Sequence, residues 1–241
     1  MTTVRMIPAH EIVRRTFPRP PPEDRDRIAM AVGKVIDGAL ADLGYQLRLG
    51  RHPTQAGLDA HARSLLEEAL AENAVEMPAA EKEATLQRVR EVTRAYRRSE
   101  LAGLSRPKTR VCLIDGKVGV YAQPDFWDGR ARVFELKSFR AVPLPPDITL
   151  QVRLFQLAFP GFQTVLVCLD RHATPVETTS VVVPAPTAEE TGETLRLAFD
   201  LGRQFGQEKV LEYVEGPFVL YTLGGGPVLQ VSAPSSPEAA G

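Results

Sequence analysis

Apolar positions recur at helical spacing in three long segments, and the pattern then changes to alternation. The first segment follows the Pro-rich lead FPRPPPEDRDR. Asp24 is its candidate N-cap, and it runs to about Leu43, before Gly44. The second is AGLDAHARSLLEEALAENA, where Leu58, Leu65, Leu66, Ala69 and Leu70 make one apolar stripe. The third begins after Pro78 and runs to about Ala102. Next come TRVCLID, KVGVYAQ and ARVFELKSF, rich in β-branched and aromatic residues and punctuated by Gly116 and Asp128-Gly129. They predict an antiparallel meander. A helix, ITLQVRLFQLAF, follows the Pro-rich VPLPPD and is capped near Asp147. TVLVCLD and TTSVVVP read as strands, and a helix is expected from about Thr187 to Val210. PFVLYTL and PVLQVS form a last hairpin around Gly224, Gly225 and Gly226, and SAPSSPEAAG reads as a disordered tail. No internal repeat is visible. The order predicts an α/β domain with a mixed central β-sheet flanked by helices. That single domain spans 1–232, divided into an N-terminal helical part (1–105) and a core (106–232), with a disordered tail at 233–241.

Composition narrows the classes. The chain has 241 residues, enough to bury a large core without covalent staples. Its two cysteines, Cys112 and Cys168, lie in apolar strand-like runs, which excludes a disulfide framework or a four-cysteine cluster within one chain. Buried thiols in a reducing cytoplasm are expected. The first residues, MTTVRMIPAHEIVRR, lack the apolar core of a signal peptide, and no apolar run reaches bilayer length. Net charge is −1, so the whole chain is no polycation. Between Arg88 and Arg110, however, eight basic residues stand against Glu91 and Glu100. Such a stripe is a solvated helix face unless another feature points to nucleic acid.

That feature is QPDFWDGRARVFELKSF, residues Gln123–Phe139. It reads as a hairpin whose apolar strands carry Asp125, Glu135 and Lys137. Glu135 and Lys137, two apart on a strand, point to one face roughly 7 Å from each other. Register decides whether Asp125 joins them. A two-residue Asp128-Gly129 loop sets Asp125 opposite Arg132, on the wrong face. A three-residue loop, Trp127-Asp128-Gly129, sets it opposite Ala131, on the face of Glu135. Gly129 suits the left-handed position of such a loop, and Pro124 indicates a local break. We therefore expect an odd-length loop or a bulge. Two converging carboxylates repel one another unless a proton or a cation lies between them. Hard oxygen donors suit Mg²⁺ or Mn²⁺, which make bound water more nucleophilic and stabilise charge on a phosphate.

Pro124-Asp125 followed by Glu135-Leu136-Lys137 across a hairpin resembles the PD-(D/E)XK nuclease superfamily, whose core is restriction-endonuclease-like. Two further motifs are similar to its RecB-type branch, which includes CRISPR-associated exonucleases. GLDAH (Gly57 to His61) matches a Gly-x-x-x-His on a helix before the meander, and QVRLF (Gln151 to Phe155) matches a Gln-x-x-x-Tyr with Phe in place of Tyr. The resemblance covers about Gly57 to Leu169. It implies metal ligands His61, Asp125, Glu135 and the backbone carbonyl of Leu136, with Lys137 and Gln151 assisting catalysis. Phe155 reads better as core.

The activity so implied is Mg²⁺- or Mn²⁺-dependent hydrolysis of DNA phosphodiester bonds, exonuclease-like, in repair, phage or CRISPR-type processing. Arg94, Arg97, Arg98, Arg140 and Arg153 are the candidate phosphate contacts, and weaker binding at higher salt would report them. A protein partner or homo-oligomer would suit the branch. No iron–sulfur cluster is implied, and no GxxxxGK[ST] loop is present to bind a nucleotide. Two alternatives compete: a catalytically silent nuclease-like module that binds nucleic acid or protein, and an unrelated small-molecule α/β enzyme.

Overall fold

The computed structural model describes residues 3–20, 23–139, 143–210, 217–223 and 227–231. The expected tail at 233–241 and Arg140 lie outside these residues. The chain is α/β, with mixed sheets flanked by helices.

The N-terminal segment contributes more than helices. Strand β1 (Thr3–Pro8) opens the chain, and α1 (Ala9–Thr16) follows it directly. Three long helices come next: α2 (Asp24–Arg48), α3 (Gln55–Glu72) and α4 (Ala79–Arg98). α2 starts where expected, with Glu23 rather than Asp24 at the cap, and passes straight through Gly44. That glycine is a packing device and not a stop signal. A Cβ there would lie 2.8 Å from the hydroxyl oxygen of Tyr96 on α4.

The strands do not form one sheet. β2 (Arg110–Ile114) and β3 (Val118–Ala122) pair antiparallel as expected. The chain then leaves that sheet at Gln123-Pro124-Asp125, because proline cannot donate to a ladder. β4 (Phe126–Trp127) and β5 (Arg132–Lys137) begin a second sheet. β5 is followed by α5 (Pro146–Ala158), β6 (Gln163–Asp170) and β7 (Glu177–Val183). This sheet has the order β4-β5-β6-β7. β5 and β6 are parallel, so α5 is the crossover of a β-α-β unit.

The last elements return to the first sheet. α6 (Ala188–Phe205) starts with a capping box between Thr187 and Glu190. The helix expected to reach Val210 ends at Phe205, and Gln207–Val210 is instead a strand, β8, antiparallel to β1. β9 (Phe218–Tyr221) and β10 (Pro227–Val231) are the expected hairpin. The first sheet runs β10-β9-β2-β3-β1-β8. β1 lies parallel to β3 within it, so the N-terminal part of the chain supplies a strand to the same sheet as the strands that follow residue 105.

α5 lies between the two sheets. Leu154 and Phe155 pack with Ile114, Val120 and Tyr221 of the first sheet. Ile148 and Val152 pack with Leu166 and Cys168 of the second. The opposite face of the second sheet, through Phe134, Val165 and Val167, meets α2, α3 and α4. Both cysteines are buried, and neither is in a disulfide among the described residues. Among the described residues no helix is long and apolar enough to cross a membrane.

Candidate active site

β5 carries alternating apolar and polar side chains. Phe134 points into the core beneath α2–α4, whereas Glu135 and Lys137 point toward α5. The register of β4 on β5 decides the rest. Phe126 pairs with Phe134 and Trp127 with Val133, which brings Asp125 level with Glu135. The loop is odd-length as expected, but it is Gly129-Arg130-Ala131, two residues further along than Trp127-Asp128-Gly129. The Asp128 N–H donates to the Arg132 carbonyl across its base. Asp128 Oδ1 accepts from the N–H groups of Arg130, Ala131 and Arg132 at 2.9, 3.0 and 3.0 Å. Those bonds hold its carboxyl well below the ordinary carboxylate range despite an opposing desolvation. Gly129 has φ +75°, the conformation the turn requires.

Four polar side chains of the hairpin and α5 form one cluster. Lys137 Nζ donates to Glu135 Oε1 at 2.7 Å and to Gln151 Oε1 at 3.0 Å. Gln151 Nε2 donates to the same Glu135 oxygen at 2.9 Å. Asp125 Oδ2 accepts the Leu136 N–H at 2.9 Å, replacing the strand partner lost where the chain turns away at Pro124. Glu135 is 4% exposed, the one buried carboxylate among the described residues. Burial, and then the charge of Asp125, push its carboxyl up to about 8; Lys137 opposes them.

Asp125, Glu135 and Lys137 open into a cleft of about 520 Å³ between the C-terminal end of β5 and α2. Crevices at the carboxyl ends of parallel strands are the usual ligand sites of α/β sheets. Asp37 of α2 also lines the cleft and accepts a hydrogen bond from Ser138 at 3.3 Å. It is reached by solvent, yet desolvation by the surrounding protein still raises its pKa, and the charge of Asp125 adds to this. Arg48 and Arg106 complete the polar lining.

The structure brings together Asp125, Glu135, Lys137 and Gln151, with Leu136 also lining the cleft; Arg140 lies outside the described residues, and His61, Arg94, Arg97, Arg98 and Arg153 sit elsewhere. His61 sits half-buried on α3, which packs on α2 and α4, and does not line the cleft. Arg94 and Arg98 line a separate hollow with Pro175 and Thr178, and Arg97 donates to the Pro53 carbonyl. Arg153 is ion-paired with Glu190. Phe155 is core, 4% exposed. The reason is common to all: helical spacing selects a face of a helix and not the element that face meets. Asp37 and Arg48 were not singled out in the sequence. Their only signal is a position on the helix that covers β5. Arg106 lay within the basic stripe, unmarked among its neighbours.

Asp37, Asp125 and Glu135 are hard oxygen donors of the kind Mg²⁺ and Mn²⁺ prefer, and burial together with the charge of Asp125 makes ionised Glu135 unfavourable without a cation beside it. In kind and charge the residues fit such a cation. One oxygen of each is engaged, by Leu136 N–H, by Lys137 and Gln151, or by Ser138, and among the described residues no three His, Cys, Asp or Glu side chains converge to hold an ion.

No family model and no curated protein matches the chain. The crystal structure of SSO0001 aligns with 72% of this chain and 85% of its own, at 13% identity and a TM-score of 0.34. A likeness that slight carries no argument.

Proposed function

We propose that the protein is a metal-dependent nuclease that hydrolyses DNA phosphodiester bonds in the cleft beside β5. The observation that carries this is the cluster of Asp125, Glu135, Lys137 and Gln151 at the mouth of a cleft that also holds Asp37 and two arginines. Asp125 and Glu135 would hold the Mg²⁺ or Mn²⁺ ion, with Asp37 adding to the acidic set. The ion would supply a more nucleophilic water and charge stabilisation on phosphorus. Gln151 orients Lys137 and Glu135 through one hydrogen bond to each. The ammonium of Lys137 is thereby aimed at the carboxylates, where it can donate to an attacking water or to a phosphate oxygen gaining charge. Arg48 and Arg106 supply cationic lining for the flanking phosphates.

One observation favours a second reading, a catalytically silent nuclease-like module that binds nucleic acid or a partner. One oxygen of each carboxylate, Asp125 Oδ2 and Glu135 Oε1, already accepts from protein donors. Cleavage of end-labelled single- and double-stranded DNA in Mn²⁺, Mg²⁺ or EDTA separates the two. We expect metal-dependent cutting by the wild type that disappears in Glu135→Ala and Lys137→Ala. Salt-sensitive binding without any cutting would support the silent module instead.

A further inference from the structure

A second cleft, about 770 Å³, adjoins the first. The two share Arg106, and Gln151, which is bonded to Glu135 and Lys137 of the first, lines the second. Their charges differ. The first sets Asp37, Asp125 and Glu135 against Arg48, Arg106 and Lys137; the second holds no carboxylate among the described residues. Its polar lining includes Arg106, Lys209, His10 and Gln123. The ring of Tyr121 stands beside them, with Lys209 Nζ 5.3 Å from its centroid.

The cations here are unspent. Arg5, Lys34, Arg88, Arg90, Arg132 and Arg153 each pair with a carboxylate. Arg106 and Lys209 form no ion pair among the described residues, and both are exposed. An unpaired cation in a concave wall is placed for an external anion.

We propose that the second cleft is the binding track for a single polynucleotide strand, with Arg106 at the junction holding the phosphate next to the reacting one. This rests on the nuclease reading of the first cleft. A phosphodiester presented to Asp125 and Glu135 brings its neighbouring phosphates with it, and the first cleft, with three carboxylates against three cations, has no net positive charge to hold them all. The carboxylate-free cleft alongside accepts them on Arg106 and Lys209, while Tyr121 offers a ring edge and face to a base. Each cleft has the scale of a site for one small ligand, which suits a strand laid down nucleotide by nucleotide more than a rigid duplex.

The test is fluorescence anisotropy in Mg²⁺, in a Glu135→Gln background that prevents cleavage. The probe is a fluorescein-labelled oligothymidylate of about 20 nucleotides, longer than a typical single-strand site. Adding Arg106→Gln or Lys209→Gln weakens binding about tenfold each and lowers the slope of log K against log salt by about 0.7. Tyr121→Leu, which keeps apolar bulk beneath β1, weakens it about fivefold. Arg98→Gln, beside the separate hollow on α4, changes nothing, and a duplex of equal length binds more weakly. If Arg106→Gln and Lys209→Gln bind like their parent, or the duplex binds as well as the strand, the track is overturned. Should wild type still cleave the oligonucleotide in that event, only the track fails. A wild type that neither binds nor cleaves overturns the nuclease reading as well.

Discussion

Lys137 Nζ lies 2.7 Å from Glu135 Oε1, with the two side chains 14% and 6% exposed. A pair this dry is maintained by mutual neutralisation and not by water. Above about pH 8, where Glu135 is ionised, removing one partner leaves the other charge stranded. Lys137→Met is expected to destabilise the fold by about 3 kcal/mol, and the double variant Glu135→Gln/Lys137→Met to recover most of that loss. Urea unfolding of the four proteins of the cycle checks it. Additive losses would show that the pair is not coupled.

Asp37 and His61 make opposite predictions. Asp37→Asn is expected to abolish most metal-dependent cleavage, because the carboxylate lines the cleft beside Asp125 and Glu135. His61→Ala is expected to cut like the wild type, since α3 keeps it away from the cleft. Binding gives an independent reading. Mn²⁺ at ten times its Kd should stabilise the wild type by about 1.4 kcal/mol, and Asp125→Asn not at all. Equal thermal shifts in both proteins would remove Asp125 from the ligand set.

Gly44 and Tyr96 set the approach of α2 to α4. Gly44→Ala would place a methyl group 2.8 Å from the Tyr96 hydroxyl oxygen, which is too close. The expected cost is about 1–3 kcal/mol. Tyr96→Phe removes the obstructing oxygen, and among the described residues that hydroxyl has no hydrogen-bond partner to lose. In the Tyr96→Phe background, Gly44→Ala should therefore turn neutral or slightly stabilising, since alanine is the better helix former by about 1 kcal/mol. Thermal melts of the single and double variants decide.

Tyr96 also sets an alkaline limit. Burial pushes its phenol up to about 12 from an ordinary 10. The folded protein thus prefers the neutral phenol. That contribution is present in full below about pH 10 and is lost as the pH rises through about 12. Tyr96→Phe should lose less stability than the wild type between those limits. Unfolding midpoints across that window, followed by circular dichroism, measure the difference.

The parts legible in the sequence are those whose geometry is local. Glu135 and Lys137 share a face because strand side chains alternate, and Gln151 reaches them because α5 follows β5 directly as the crossover. Asp125 required only an odd-length turn, and the order of helices and strands fixed the α/β class. What tertiary packing decided was which distant surfaces meet. Asp37 and Arg48 enter the cleft because α2 covers the end of β5, nearly a hundred residues away in the chain. β1 slips between β3 and β8, a strand defined by long-range pairing and not foreseen from TVRMIP itself. Arg153, by contrast, is committed to Glu190 on α6. Periodicity tells each element which side to bury; only the assembled core, by burying those sides against one another, determines which charges are left facing the cleft.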